Sequence, residues 1–432
     1  MSRHSGITFL LTALLIVGLL LSACQSAPVL STPAKVEAPK AEAPKAAEAA
    51  KPAEVAKPAE AKPAAKEPYK IGIAIPLSGQ PAAAGMEMRD VLNMEVERVN
   101  AAGGVNGSPI QLVIEDDGFD PTRAATALTK LIRQDNVLAI IGPFGSYLEP
   151  SARPVIEREQ VAEIIPSPTM QEMRDKKYKW SFNTVMNEIL GGDAMVQIAV
   201  DNGYKKAALV AESGSLYQAA KERIKSEGQK AGIQVFALDD TFGPKDVDLT
   251  PQVTKLKGIL DKEKPDVLFL VASGYGSATF PKGMKQLAVT LPVIGFHAVA
   301  NAMTFSLGGE EMTGILAPGS KDVVPGALPD SDPQKAVILD FQKRFQAKYN
   351  KPLLAGGNWA ADSFSILVNA LKVAGPDRAK IRDAIEKTNK LVGVSGIFTF
   401  SPDDHEGLAK DSVAVYKVDM KNKKFDLVKV LK

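Results

Sequence analysis

Apolar positions along this chain come in two kinds of run. Tyr69 to Ile75, Ile110 to Glu115, Val137 to Ile141 and Val161 to Ile165 are apolar stretches that read as strands. Between them the apolar residues recur at helical spacing. Met88, Leu92, Val96 and Val99 share one face of a helix expected from about Gly85 to Asn100, which Ala102-Gly103-Gly104 stops. Asp120-Pro121 opens another helix, with Asp as the cap and Pro at the first position. A βαβαβ series of this kind predicts a mostly parallel sheet with helices on both faces.

The pattern restarts after about Glu188. Strands are expected at Ala207 to Ala211, Ile233 to Leu238, Asp266 to Val271 and Pro292 to Gly295. Helices are expected from Tyr217 to Lys230, through Leu256 to Leu260, and from Ala278 to Leu287. The fold class is therefore α/β, with two doubly wound lobes. Beyond Asp322 come long helical patterns at Gln334 to Tyr349, Ala360 to Val373 and Asp377 to Asn389. Gly396 to Phe400 and Ser412 to Val430 alternate like hairpin strands, turning at Met420 to Lys423.

Composition narrows the chemistry. Among 432 residues, 52 Lys and Arg face 50 Asp and Glu, so no basic face for nucleic acid is expected. One Cys excludes a disulfide framework, and three His make a metal site hard to assemble, so no metal and no cofactor is expected. The chain has no Gly-x-Ser-x-Gly elbow, no His-Glu-x-x-His and no Gly-x-x-x-x-Gly-Lys, and no catalytic residue is assigned. Asp116 and Asp117 are adjacent on a strand, so they face opposite ways and read as structural. His405 reads as a turn residue.

Arg3 and His4 precede an apolar run from Ile7 to Leu21, followed by Leu21-Ser22-Ala23-Cys24. This is a secretory signal, short for a membrane span. The lone Cys after Leu-Ser-Ala resembles the lipobox of bacterial lipoproteins, which implies lipidation at Cys24; the plainer alternative is a signal peptide with an incidental Cys. Residues 25–68, rich in Ala, Pro, Lys and Glu, read as a disordered tether.

In open parallel sheets, ligands sit beyond the carboxyl ends of the strands. The turns there are Pro76 to Gly79, Gly142 to Tyr147, Pro166 to Thr169, Glu212 to Tyr217, Ala272 to Tyr275 and Phe296 to Ala300. Several are rich in Gly, Ser and Thr. They offer backbone N–H groups and hydroxyls at helix starts, where a carboxylate can be held without Arg.

An ordered set of segments carries a resemblance. They are Ile71-Gly72-Ile73-Ala74-Ile75-Pro76-Leu77-Ser78-Gly79, Val99-Asn100-Ala101-Ala102-Gly103-Gly104-Val105-Asn106-Gly107, Glu115-Asp116-Asp117 ahead of Asp120-Pro121, and Ile141-Gly142-Pro143 with Ser146. From Tyr69 to the C-terminus the chain resembles the leucine/isoleucine/valine-binding protein family of ABC transporters. The resemblance implies a type I periplasmic binding protein fold, with two lobes joined by a three-strand hinge and a ligand trapped by closure. Crossings are placed near Met186, Ser320 and Ser395. Lobe one is then 69–187 and 321–395, and lobe two 188–320 and 396–432.

By the same resemblance, Ser146 meets a ligand carboxylate, Ser167 and Thr169 meet its polar head, and Tyr217 covers it. His297 stands where the resemblance implies an acid, and Tyr275 lies two residues beyond the position where a Tyr is common. Trp359, otherwise a core residue, can replace a missing site aromatic. The implied ligand is a small polar or carboxylate solute, amino-acid-like or a related amide or acid. The implied partners are a membrane permease and its ATPase. A monomer is expected, lipid-anchored in the cell envelope and facing the periplasm or exterior. A ligand-sensing or scaffold lipoprotein without a transporter is the alternative.

Overall fold

The computed structural model describes residues 66–79, 81–168, 177–243, 246–353 and 356–432. Cys24, the signal segment, the tether up to residue 65 and Thr169 lie outside the described residues.

The first lobe opens with β1 (Tyr69–Ile75), α1 (Ala82–Ala101), β2 (Ile110–Asp116), α2 (Pro121–Arg133), β3 (Ala139–Ile141), α3 (Glu149–Glu159), β4 (Glu163–Ile165) and β5 (Ser181–Asn183). Its five strands are ordered β2-β1-β3-β4-β5, all parallel. The continuous apolar runs are explained by two cores, one on each face. Ile71, Ile73 and Ile75 point one way, onto Met88 and Leu92 of α1. Ala74 and Ile140 point the other way, onto Leu128 and Leu131 of α2 and Ile156 of α3. The start of α2 is as the spacing predicts, with the Asp120 carboxylate accepting the Arg123 N–H at 2.9 Å and Pro121 in the first turn.

The second lobe runs through α4 (Glu188–Asp201), β6 (Lys206–Ala211), α5 (Ser215–Lys230), β7 (Gln234–Ala237), α6 (Thr250–Glu263), β8 (Val267–Val271), α7 (Gly274–Gln286), β9 (Val293–Gly295), the short α8 (Thr304–Leu307) and β10 (Leu316–Ser320). The chain then returns to the first lobe with α9 (Pro333–Tyr349), α10 (Gly357–Ala374), α11 (Arg378–Glu386) and the small hairpin β11 (Leu391–Val392) and β12 (Ile397–Phe398). It ends with β13 (Val413–Asp419) and β14 (Lys424–Val430), completing a sheet of order β14-β13-β10-β9-β8-β6-β7. β13 pairs antiparallel with both β10 and β14, while the remaining pairings in this sheet are parallel.

The chain passes from β5 of the first sheet to α4 through 184–187, and from β10 to α9 through 320–324. The third crossing is later than Ser395. Phe398 and Phe400 are buried in the first lobe's core with Phe182, and Phe182 also stacks on His405 at 4.1 Å. The apolar alternation at 396–400 reads like second-lobe strand, but its side chains are spent on the first lobe. The crossing falls at Leu408 to Ser412, ahead of Val413 and Val415 in the second lobe's core. Residues 396–407 therefore pack with lobe one rather than lobe two.

Where β3 ends, the chain turns at Gly142 with φ of 113°, and a Cβ there would lie 1.9 Å from the Ala74 carbonyl oxygen. Gly142→Ala adds both backbone strain and a clash with main chain that cannot retreat. It should destabilise the fold by about 2–4 kcal/mol, read from denaturant unfolding.

Candidate functional site

Loops at the strand ends of both lobes, together with the crossings, enclose a cavity of about 750 Å³. Thr184 and Met186 come from the first crossing and Asp322 from the second. Asn358 and Trp359 come from the start of α10, and His297 and Met303 from the loop after β9. The tip of the terminal hairpin, Lys423 to Phe425, reaches the same space.

One helix braces these parts. α10 is mainly apolar, but it carries the buried polar residues Asn358, Asp362 and Ser363. Ser363 shares a 3.2 Å hydrogen bond with the hydroxyl of Thr184. The Asn358 amide donates to Asp322 Oδ2 at 2.9 Å. Asp362 accepts the Val394 N–H at 2.6 Å, the Ser395 N–H at 2.7 Å and the Ser395 hydroxyl at 2.5 Å. From α9, Gln342 Nε2 donates to the Asp322 carbonyl at 2.9 Å.

Charge in the cavity is sparse and unevenly placed. Burial pushes the Asp322 carboxyl above its ordinary value, against hydrogen bonds from Ser320 and Asn358. The neighbouring Lys321 pairs instead with Asp332 at 2.8 Å. Asp362 is raised to about 7, chiefly by burial, with the Asp322 charge adding to it. His297 is held down at about 4 by burial, so its ring is uncharged at neutral pH. Its Nδ1 is buried without a hydrogen-bond partner among the described residues.

Comparison with known proteins places this geometry. A sequence profile described as "periplasmic binding protein" matches residues 68–424. The chain belongs to the periplasmic binding protein family. A leucine-, isoleucine-, valine-, threonine- and alanine-binding protein of Pseudomonas aeruginosa is 27% identical over 74% of this chain and 83% of the relative. The Leu/Ile/Val-binding protein of Escherichia coli is 24% identical over 63% of this chain and 74% of its own length. A leucine-binding protein of Thermotoga maritima, solved as a crystal structure, superposes with a TM-score of 0.70 at 24% identity, covering 84% of this chain and 98% of that one. Like its relatives, this periplasmic binding protein is of the Leu/Ile/Val-binding type, with two α/β lobes and a solute-binding role. Family membership places it in the periplasm or outside the cell. Among the described residues, no helix is long and apolar enough to cross a membrane.

Of the sequence-derived site residues, Tyr275 and His297 line the cavity of this periplasmic binding protein, as does Trp359, which stacks on Phe144 at 6.5 Å. Ser146, Ser167 and Tyr217 are not among its lining residues. Ser146 opens a short 3-10 turn and is half-buried. Ser167 is buried, its hydroxyl 3.5 Å from the Pro168 carbonyl. Tyr217 packs edge-on to Phe296 at 6.1 Å, and burial, helped by the Glu212 charge, raises its hydroxyl pKa.

The pair Asp116 and Asp117 braces the first lobe's loops. Asp116 accepts the Leu77 and Gly118 N–H groups and the Ser78 hydroxyl; burial raises its pKa, but these bonds and Arg123 outweigh that and hold it at about 2. Asp322 was not singled out from sequence, and Asn358 appeared there only as a neighbour of Trp359. The available signal was a set of polar residues inside the apolar stretch that forms α10.

The His297 shift has a definite sign. Its pKa is lower folded than unfolded, so its contribution is complete above about pH 6.5 and is lost as pH falls toward about 4. His297→Asn should flatten the acid side of the stability curve in that window, by up to about 3 kcal/mol. Denaturant unfolding at stepped pH measures it.

Proposed function

We propose that this chain is the solute-binding component of an ABC importer, trapping a small polar or carboxylate solute of amino-acid type between its lobes. The observation that carries the reading is the cavity at the junction, lined from both lobes and from all three crossings. A ligand held there favours the arrangement in which both lobes touch it, so binding shifts the open and closed populations by its preference for the closed form. The relative named for five small amino acids supports that solute class. Ser146, Ser167, Thr169 and Tyr217 are proposed to join Tyr275 and His297 around the solute when the lobes close.

The protein acts as a monomer that delivers its solute to a permease driven by an ATPase. Cys24 carries the lipid anchor, and 25–68 is the tether that gives the folded part reach from the membrane.

Native mass spectrometry of the gently purified full-length protein, mixed with amino acids and related acids and amides, tests the solute. The expected result is a one-to-one adduct, with a rise in melting temperature; saturation at a hundredfold excess over Kd adds about 2.7 kcal/mol. No adduct and no thermal shift with any compound would end the reading. The anchor is tested separately: Cys24→Ser should move the protein from the membrane to the soluble fraction, and unchanged fractionation refutes lipidation there.

A further inference from the structure

We propose that His297 donates from Nε2 to a carbonyl oxygen of the bound solute, so that the cavity favours a carbonyl compound, an oxo acid or an amide, over the amino acid of the same shape. This rests on the solute-binding reading and names the chemistry of its ligand.

His297 opens a 3-10 turn, His297–Val299, directly after β9. The turn is tied down: the Ala300 N–H donates to the His297 carbonyl at 3.0 Å, and the Thr304 hydroxyl to the Val299 carbonyl at 2.6 Å. The imidazole packs on the Phe296 ring, with centroids 4.2 Å apart, and lines the cavity. Of its two nitrogens, only Nδ1 is buried without a hydrogen-bond partner among the described residues. Burial also keeps the ring uncharged at neutral pH. A neutral imidazole carries its hydrogen on one nitrogen or the other. On Nδ1 the hydrogen would be stranded in the packing; on Nε2 it leaves only a lone pair unused there. A buried N–H without an acceptor is the rarer and costlier defect. The hydrogen therefore sits on Nε2, and the ring offers the cavity a donor.

That donor sorts the groups a solute can bring. An ammonium has hydrogens only, so it would meet the Nε2 hydrogen head-on. Turning the tautomer over to accept from it would strand the Nδ1 hydrogen. A carboxylate would put a charge before one neutral donor. The cavity already holds the acid Asp322, its carboxyl pushed up by burial. The lining's cations, Lys423 and Lys424, are on the hairpin tip, and the loop from Phe296 to Met303 supplies no charge to support an anion. A carbonyl brings an acceptor and no charge.

The test is calorimetric titration of the full-length protein in detergent with three probes. They are leucine, 4-methyl-2-oxopentanoate, in which a carbonyl replaces the ammonium, and 4-methylpentanamide, whose carbonyl belongs to an uncharged amide. One of the two carbonyl probes should bind at least about tenfold tighter than leucine, and which one it is separates oxo acid from amide. His297→Phe keeps a flat ring and removes the donor. It should weaken that probe about tenfold and leave leucine no worse bound. His297→Gln, whose side-chain amide reaches as far as Nε2, should hold the probe within about threefold of the unaltered protein, a rescue that a space-filling role does not give. If the Phe variant fails to fold, the order of the probes and the Gln variant decide.

The proposal is overturned if leucine binds as tightly as the better carbonyl probe. It is overturned equally if folded His297→Phe binds that probe unchanged, if folded His297→Gln loses it, or if no probe binds. In that last case an adduct in the native mass spectrum shows that the solute-binding reading stands and only the carbonyl is wrong. A blank spectrum removes both.

Discussion

Two of the three links between the lobes are held by hydrogen bonds to a single helix. From α10, Ser363 shares a hydrogen bond with Thr184 of the first crossing, Asn358 holds Asp322 of the second, and Asp362 gathers Val394 and Ser395 within the first lobe. Asp362 accepts from three donors, two of them backbone N–H groups, and so forms a firm point of attachment. Apolar residues could fill the same space, but they could not hold short, irregular crossing segments whose backbone groups need partners.

The same constraint shapes the cavity. Asp322 belongs both to the bracing and to the cavity wall, so the fold itself puts an acid where a solute would sit. His297 is close to the reverse case: burial makes its ring a neutral polar group rather than a cation. The polarity of the cavity is thus set less by which residue types line it than by how far each has been taken from water.

Much of the framework was legible because it is local. β1, β2 and β6 to β9 follow from continuous apolar runs, and Asp120-Pro121 announces the start of α2. Elements that carry contrary local signals were not legible. α3 has Pro154 inside it, β10 reads Leu-Ala-Pro-Gly-Ser, and β5 is three residues long. The third crossing was misplaced because alternation shows that Phe398 and Phe400 are buried but not against which lobe. Of the cavity residues, Tyr275 and His297 sit in strand-end turns and were found by that rule. Asp322 lies in Ser320-Lys321-Asp322, a short segment with no periodic pattern to mark it. Only the tertiary fold buries Lys321 against Asp332 and turns the acid toward the cavity.

Fastening two of the straps to one helix of the first lobe has a mechanical corollary. The anchored residues travel with α10, so they cannot serve as the joint. Beyond Asp322 on the second-lobe side, Gly319 and Ser320 are already held in the ladder between β10 and β13. A swing of the lobes would thus carry Thr184 and Asp322 along with the first lobe, as parts of its stator.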